Sequence, residues 1–219
     1  MNHRTRPRVV LADDHRIVAE GIRSLLESEY EVAAVVEDGR ALLKAVEDLR
    51  PDAVVADVSM PLLNGIEATE QLRRSGSTVA VVFLTMHPDV SYASRALASG
   101  GNGFVLKHSA PSELLTAVSE ALAGRTYVTP RVAEELKRLK GDVASDPSAA
   151  DPVGRLTPRQ REVLQLVAEG RSAKEVANIL NISPRTAEFH KYRLMEQLSV
   201  TTNAELVQYA VRHGLVSPE

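Results

Sequence analysis

From residue 8 to residue 124, short β-branched runs alternate five times with longer stretches whose apolar residues recur at helical spacing. That alternation predicts parallel strands joined by crossover helices. The runs place strands at 9–12, 32–36, 53–56, 80–84 and 103–106. Between them Ile17, Ile22, Leu25 and Leu26 mark one helix, Leu42, Leu43, Val46 and Leu49 a second, and Ile66, Thr69 and Leu72 a third, with Pro51 and Gly65 as punctuation. The strands are almost continuously apolar, which requires a sheet covered on both faces. An open, doubly wound α/β fold follows, with ligands expected at the C-terminal strand ends.

Residues 141–154 are small, polar and proline-bearing, without apolar periodicity. Such a stretch builds no core and reads as a linker. Just ahead of it, 131–140 can form one short helix with Val132, Leu136 and Leu139 on a face. Beyond it the pattern changes to short helices alone. Thr157 is a sound N-cap with Pro158 at the first helical position, and Gly170 ends that helix. A second helix runs over about 172–180, Asn181-Ile182-Ser183 makes a tight turn, Pro184 starts a third helix to about Leu198, and Asn203 starts a fourth to about His213. The expected organisation is a first domain over 1–124, a linker with a short helix over 125–154, and a helical domain over 155–219.

Charge sharpens this division. Residues 1–154 carry 17 Lys/Arg against 22 Asp/Glu, a balance of −5, whereas 155–219 carry 9 against 7, a balance of +2. An acidic module joined to a mildly basic one suits a regulator with a nucleic-acid output. The absence of cysteine excludes disulfides and thiolate metal sites. The longest apolar runs, such as 79–84, fall far below the roughly 20 residues that span a bilayer, and the N-terminus lacks a signal core, so no membrane partner and a cytoplasmic location are expected.

The candidate chemistry lies at the strand ends. Asp13 and Asp14 follow the first strand and Asp57 the third, positions that a sheet of order 2-1-3-4-5 brings together at its topological switch point. Clustered carboxylates need a compensating cation, and hard oxygen donors of this kind suit Mg2+. Thr85 ends the fourth strand and Lys107 the fifth on the same edge. An Asp nucleophile, a divalent ion, a Lys and a hydroxyl are what phosphoryl transfer to a carboxylate requires. Each residue alone also has a plainer reading as a cap, a loop residue or a solvated charge.

Residues 8–124 resemble the receiver domains of two-component response regulators, which have a flavodoxin-like five-stranded fold. The matching motifs are Leu11-Ala12-Asp13-Asp14-His15, Asp57-Val58-Ser59-Met60-Pro61 with Asn64-Gly65, Leu84-Thr85-Met86-His87, and Gly103-Phe104-Val105-Leu106-Lys107. The resemblance implies a sensor histidine kinase as partner and Asp57 as phosphoacceptor. It implies that Asp14, Asp57 and the Ser59 carbonyl hold Mg2+ with Asp13 acting through water, and that Thr85 and Lys107 grip the phosphoryl group. Phe104 falls at the family's rotating switch aromatic, although a lone strand phenylalanine is usually core. Two departures stand out: His108-Ser109 follows the lysine where many receivers have proline, and Ser59 occupies a position where phosphoryl lifetime is tuned.

Residues 156–216 resemble the LuxR-type helix-turn-helix domain through 156–164, 168–170, Lys174-Glu175-Val176-Ala177, Ile182-Ser183, 185–190 and Leu206-Val207. With the receiver this places the chain in the NarL/FixJ-like class, implying phosphorylation-controlled binding of double-stranded DNA and a homodimer when phosphorylated or DNA-bound. A helix from Pro184 presents its outer face to the major groove. By resemblance Glu188, Phe189 and Tyr192 point at base edges, and Lys174, Arg185, Thr186, Lys191 and Arg193 at phosphates. Glu188 stands where relatives often carry Lys; it can accept from a cytosine amino group, and Phe189 can rest on a thymine methyl. Phe189 as core, or Glu188 and Lys191 as a solvated ion pair, are the plainer alternatives. Residues of the last helix, among them Leu206, Val207 and Tyr209, resemble the family's dimer helix.

Two rival functions fit these residues less well. A haloacid-dehalogenase-type phosphatase needs a second Asp two residues after the nucleophile, where this chain has Ser59. A pure interaction module with a vestigial acidic crevice fits poorly with the complete set Asp13, Asp14, Asp57, Thr85 and Lys107. The chain therefore reads as no enzyme in the ordinary sense, beyond promoting its own phosphorylation and dephosphorylation.

Overall fold

The computed structural model describes residues 6–86, 88–142, 153 and 155–216. Most of the sequence-predicted linker, residues 143–152 and 154, lies outside the described residues, as does His87. The chain divides into two compact units, the first carrying the strands and the second the last four helices.

The first unit runs β1 (Arg8–Ala12), α1 (Arg16–Leu26), β2 (Glu31–Val36), α2 (Gly39–Leu49), β3 (Ala53–Asp57), α3 (Gly65–Arg74), β4 (Ala80–Thr85), α4 (Val90–Ala98), β5 (Gly103–Leu106), α5 (Ala110–Leu122), β6 (Tyr127–Val128) and α6 (Pro130–Asp142). The strands pair in parallel in the order β2-β1-β3-β4-β5-β6. β3, β4 and β5 are buried along their whole length, as their unbroken apolar sequences require of strands covered on both faces. β1 lies between β2 and β3, so the connections that leave β1 and β3 run in opposite directions along the sheet. A crevice opens between their C-terminal ends. Helices begin where the sequence supplies caps: Asp38 accepts from the backbone of Arg40 and Ala41, and Asn64 from that of Glu67.

Two features depart from the sequence pattern. Ile17 is 91% exposed, whereas Ala19, Ile22 and Leu26 form the buried face of α1, with Val18 and Leu25 packed beside them. Ile22 lies five positions after Ile17, which turns their side chains about 140° apart on a helix of 3.6 residues per turn, so the two never shared a face. The second departure is a sixth strand. Tyr127 pairs with Gly103 and Val128 with Phe104, and α6 then buries Val132 and packs against α4. Residues 127–142, read from the sequence as the start of a linker with a helix at 131–140, thus pack onto the first unit.

The second unit contains α7 (Pro158–Ala168), α8 (Ala173–Leu180), α9 (Pro184–Leu198) and α10 (Asn203–Arg212), close to the four expected helices. Thr157, Ser172 and Thr202 each form a reciprocal capping box with Gln160, Glu175 and Glu205, and Ser183 caps α9 through the Thr186 amide. Asn181, at φ 52, makes the left-handed turn between α8 and α9. Val163, Leu164, Leu166, Val176, Leu180, Leu194, Leu206 and Leu215 fill a small core. Among the described residues no helix is long and apolar enough to cross a membrane.

Candidate functional site

The pairing register steps the functional side chains along one sheet edge. Asp57 ends β3 opposite Leu84, Thr85 follows Leu84 and lies opposite Leu106, and Lys107 follows Leu106. Asp57, Thr85 and Lys107 are all buried, as is Asp13 just beyond β1, whereas Asp14 is exposed. The Lys107 ammonium donates to Asp57 Oδ2 at 2.6 Å. It also stands 2.8 Å from Asp13 Oδ2, so one ammonium bridges the two buried carboxylates. Asp13 Oδ1 accepts from the His15 amide at 2.9 Å, and Asp57 Oδ1 from the Ser59 amide at 3.3 Å.

Burial raises the Asp57 carboxyl to a pKa of about 6; Lys107 and the Ser59 amide pull it down, and Asp13 pushes it up. Burial also works against the Lys107 ammonium, but the two carboxylates outweigh it and hold the pKa above the ordinary lysine value. The site is therefore a buried cation between two carboxylates, one of which stays reluctant to ionise. Oxygens of Asp13, Asp14 and Asp57, with His15 Nδ1, lie within 4.8 Å of one another. Gly65 closes the loop after β3: a Cβ there would overlap the Asp57 carbonyl oxygen. Lys107–Ser109 forms a 3-10 turn where many receivers carry proline. Phe104 is fully buried in β5, and its carbonyl accepts from Thr129.

In the second unit the buried Ala187 and Leu194 seat α9, leaving Arg185, Glu188, Phe189, Tyr192 and Arg193 exposed and Thr186 and Lys191 half-buried. Phe189 is 56% and Tyr192 67% exposed, so neither belongs to the core. The Arg193 guanidinium lies 5.6 Å from the Phe189 ring centroid, within cation–π range. Among the described residues neither Glu188 nor Lys191 takes part in an ion pair; the predicted alternative of a Glu188–Lys191 pair is absent. Lys174 is exposed on α8. A hollow of about 480 Å3 is lined by Glu188, Lys191 and Tyr192 together with Arg171, Ser172 and Asn203.

The sequence reading gave no role to three residues that these sites contain. His15 sits in the acidic crevice, and only its place beside Asp13-Asp14 signalled it. Arg171 and Asn203 flank the outer face of α9 from helix ends distant in sequence, which no spacing rule reveals.

A family model for the response regulator receiver domain matches residues 9–119, and one for bacterial regulatory proteins of the luxR family matches 154–210. The transcriptional regulatory protein MctR of Rhizobium johnstonii is 36% identical over 99% of both chains. The response regulator GacA of Pseudomonas aeruginosa is 33% identical over 95% of this chain and 97% of its own. The structure of the two-component response regulator RcsB in complex with DNA is similar at a TM-score of 0.57 and 30% identity, over 94% of this chain and 98% of that one. With a receiver domain followed by a luxR-family domain, and relatives alike over nearly the whole length, the chain belongs to the two-component response regulators of the NarL/FixJ class.

Proposed function

We propose that Asp57 accepts a phosphoryl group and that this modification controls binding of double-stranded DNA by residues 155–219. The observation that carries this reading is the Lys107 ammonium held between Asp57 and Asp13, with buried Thr85 on the strand between β3 and β5. A carboxylate oxygen of Asp57 attacks phosphorus. The bond from phosphorus to its carrier breaks, and the electron pair leaves with the carrier, the imidazole of a sensor histidine kinase or acetate from acetyl phosphate. The Lys107 ammonium and the Thr85 hydroxyl then bind phosphoryl oxygens, and attack by water on the same phosphorus reverses the modification.

The donor set fits Mg2+: oxygens of the Asp13, Asp14 and Asp57 carboxylates lie within 4.8 Å of one another, hard donors at a spacing one ion can span. Asp14, Asp57 and the Ser59 carbonyl would hold the ion, with Asp13 acting through water. When bound it neutralises charge on the incoming phosphoryl oxygens. Phe104, buried beside this edge, is the aromatic whose packing responds.

On α9, Glu188, Phe189 and Tyr192 read base edges, while Lys174, Arg185, Thr186, Lys191 and Arg193 hold phosphates. The exposure of Phe189 and Tyr192 on a seated helix supports this, as does the likeness to RcsB in its DNA complex. The phosphorylated chain works as a homodimer on two half-sites, in the cytoplasm. Incubation with acetyl phosphate tests the acceptor reading: one base-labile phosphoryl group per chain, lost in Asp57→Asn, is expected. Labelling that survives this substitution would overturn it.

A further inference from the structure

His15 is the N-cap of α1, at φ −93 and ψ 91, and its side chain makes no capping hydrogen bond. Ser, Thr, Asp and Asn fill that position well and an imidazole does not, so helix stability gives no reason for histidine there. The ring turns into the acidic crevice instead. Its Nδ1 lies 2.9 Å from Asp14 Oδ1, 3.5 Å from Asp13 Oδ1 and 4.0 Å from Asp57 Oδ2. A second observation points the same way. His15 Nδ1 and oxygens of Asp13, Asp14 and Asp57 all lie within 4.8 Å of one another, a spacing that one cation can span.

We propose that His15 is a specificity-determining ligand of the crevice, adding a nitrogen donor that favours transition-metal dications over Mg2+. This rests on the reading of the crevice as a dication site. Around a cation about 2.1 Å from each donor, adjacent donors stand roughly 3.0 Å apart and opposite ones roughly 4.2 Å. The three separations from His15 Nδ1 run from the adjacent value almost to the opposite one, so small side-chain shifts complete a shell with the carboxylates. Mg2+ prefers oxygen and retained water and gains little from imidazole, whereas Co2+, Ni2+ and Zn2+ bind it well. On binding, the proton that Nδ1 directs at Asp14 Oδ1 leaves to solvent, from Nδ1 itself or by exchange to the Nε2–H tautomer, and the freed Nδ1 lone pair goes to the metal. The His15 side chain is 59% exposed, so displaced water has a way out.

Calorimetric titration of the tag-free full chain with Mg2+ and with Ni2+ tests this, comparing the parent with His15→Asn, Asp14→Asn and Asp57→Asn. Asparagine caps helices, so His15→Asn removes the imidazole without threatening α1. Ni2+ affinity is expected to fall at least tenfold in His15→Asn while Mg2+ affinity falls less than threefold. Pulsed electron paramagnetic resonance on bound Mn2+ should show a nitrogen coupling in the parent that His15→Asn removes. Parallel loss of both metals, unchanged Ni2+ affinity, or no nitrogen coupling in the parent overturns the proposal. Should both Asp variants leave Mg2+ binding intact, the dication reading itself fails and the proposal with it; if they abolish Mg2+ binding while His15→Asn leaves Ni2+ unaffected, the proposal alone fails.

Discussion

The Lys107 ammonium reaches Asp57 Oδ2 at 2.6 Å although Asp57 ends β3 and Lys107 follows β5, with β4 between the two strands. That contact lowers the Asp57 pKa against burial, which alone would raise it further. In Lys107→Met the Asp57 carboxyl is therefore expected to titrate above about 6. Labelling by acetyl phosphate, followed against pH, should shift its rising limb upward. A limb that stays put or moves down would mean that Lys107 does not set the ionisation of the acceptor.

Asp57 also links stability to pH. The folded chain keeps its proton up to about pH 6, whereas the unfolded chain releases it near 3.8. Between those values the folded state binds more protons, so stability falls as pH rises through the window, by about 3 kcal/mol at most. Asp57→Asn removes this penalty. In chelator, urea unfolding should find the variant at least as stable as the parent at pH 7.5, with the difference closing towards pH 4.

Gly65 is fixed by the carbonyl it faces. Gly65→Ala puts a Cβ onto the Asp57 carbonyl oxygen, and backbone cannot yield as a flexible side chain can. A loss of about 1–3 kcal/mol is expected, the range for overpacking, together with slower phosphorylation because the displaced carbonyl belongs to the acceptor. Denaturant midpoints and labelling rates measure the two effects. Full stability in the variant would show that the loop after β3 shifts freely.

Arg185→Ala and Lys191→Ala are expected to weaken binding to all DNA sequences and to reduce the salt slope by about one each. Changes at Glu188 or Tyr192 should alter sequence preference instead, which selection from random DNA reads directly. If Lys191→Ala altered preference and left the slope alone, the division of α9 into positioning and reading residues would be wrong.

Phosphorylation is expected to raise operator affinity by dimerisation, not by reshaping α9, whose core residues belong to the second unit. A second DNA-binding domain on the same operator raises effective concentration without any new contact to the bases. Sedimentation with and without beryllofluoride, paired with operator titration, checks this. A monomer that nonetheless binds tighter is the contrary result.

The first five strands and the last four helices were legible because each repeats a strong local rule. β3 is apolar at four successive positions, and Thr157 with Pro158 announces the first of the four helices, as Pro184 does the third. Asp13, Asp57, Thr85 and Lys107 were legible as a group because a strand end is a sequence position and the register does the rest. Ile17 was misplaced because an apolar residue five positions from its neighbour only resembles a helical repeat. β6 escaped because two residues show no alternation; only pairing with Gly103 and Phe104 makes Tyr127 and Val128 a strand. His15 escaped for another reason: a cap position conceals a side chain that does not cap.

The two-residue strand after α5 has a consequence for solubility. β6 takes up the outer hydrogen-bonding groups of β5 through the Tyr127 and Thr129 amides, which donate to Asn102 and Phe104. A chain cut at residue 124 would leave that row bare beside the buried phenylalanine, an open template on which another copy could add a strand. A chain cut after residue 142 keeps the row covered by two residues too short to template anything themselves. The shorter fragment should self-associate on concentration where the longer one stays dispersed, and light scattering of the two side by side would display the difference.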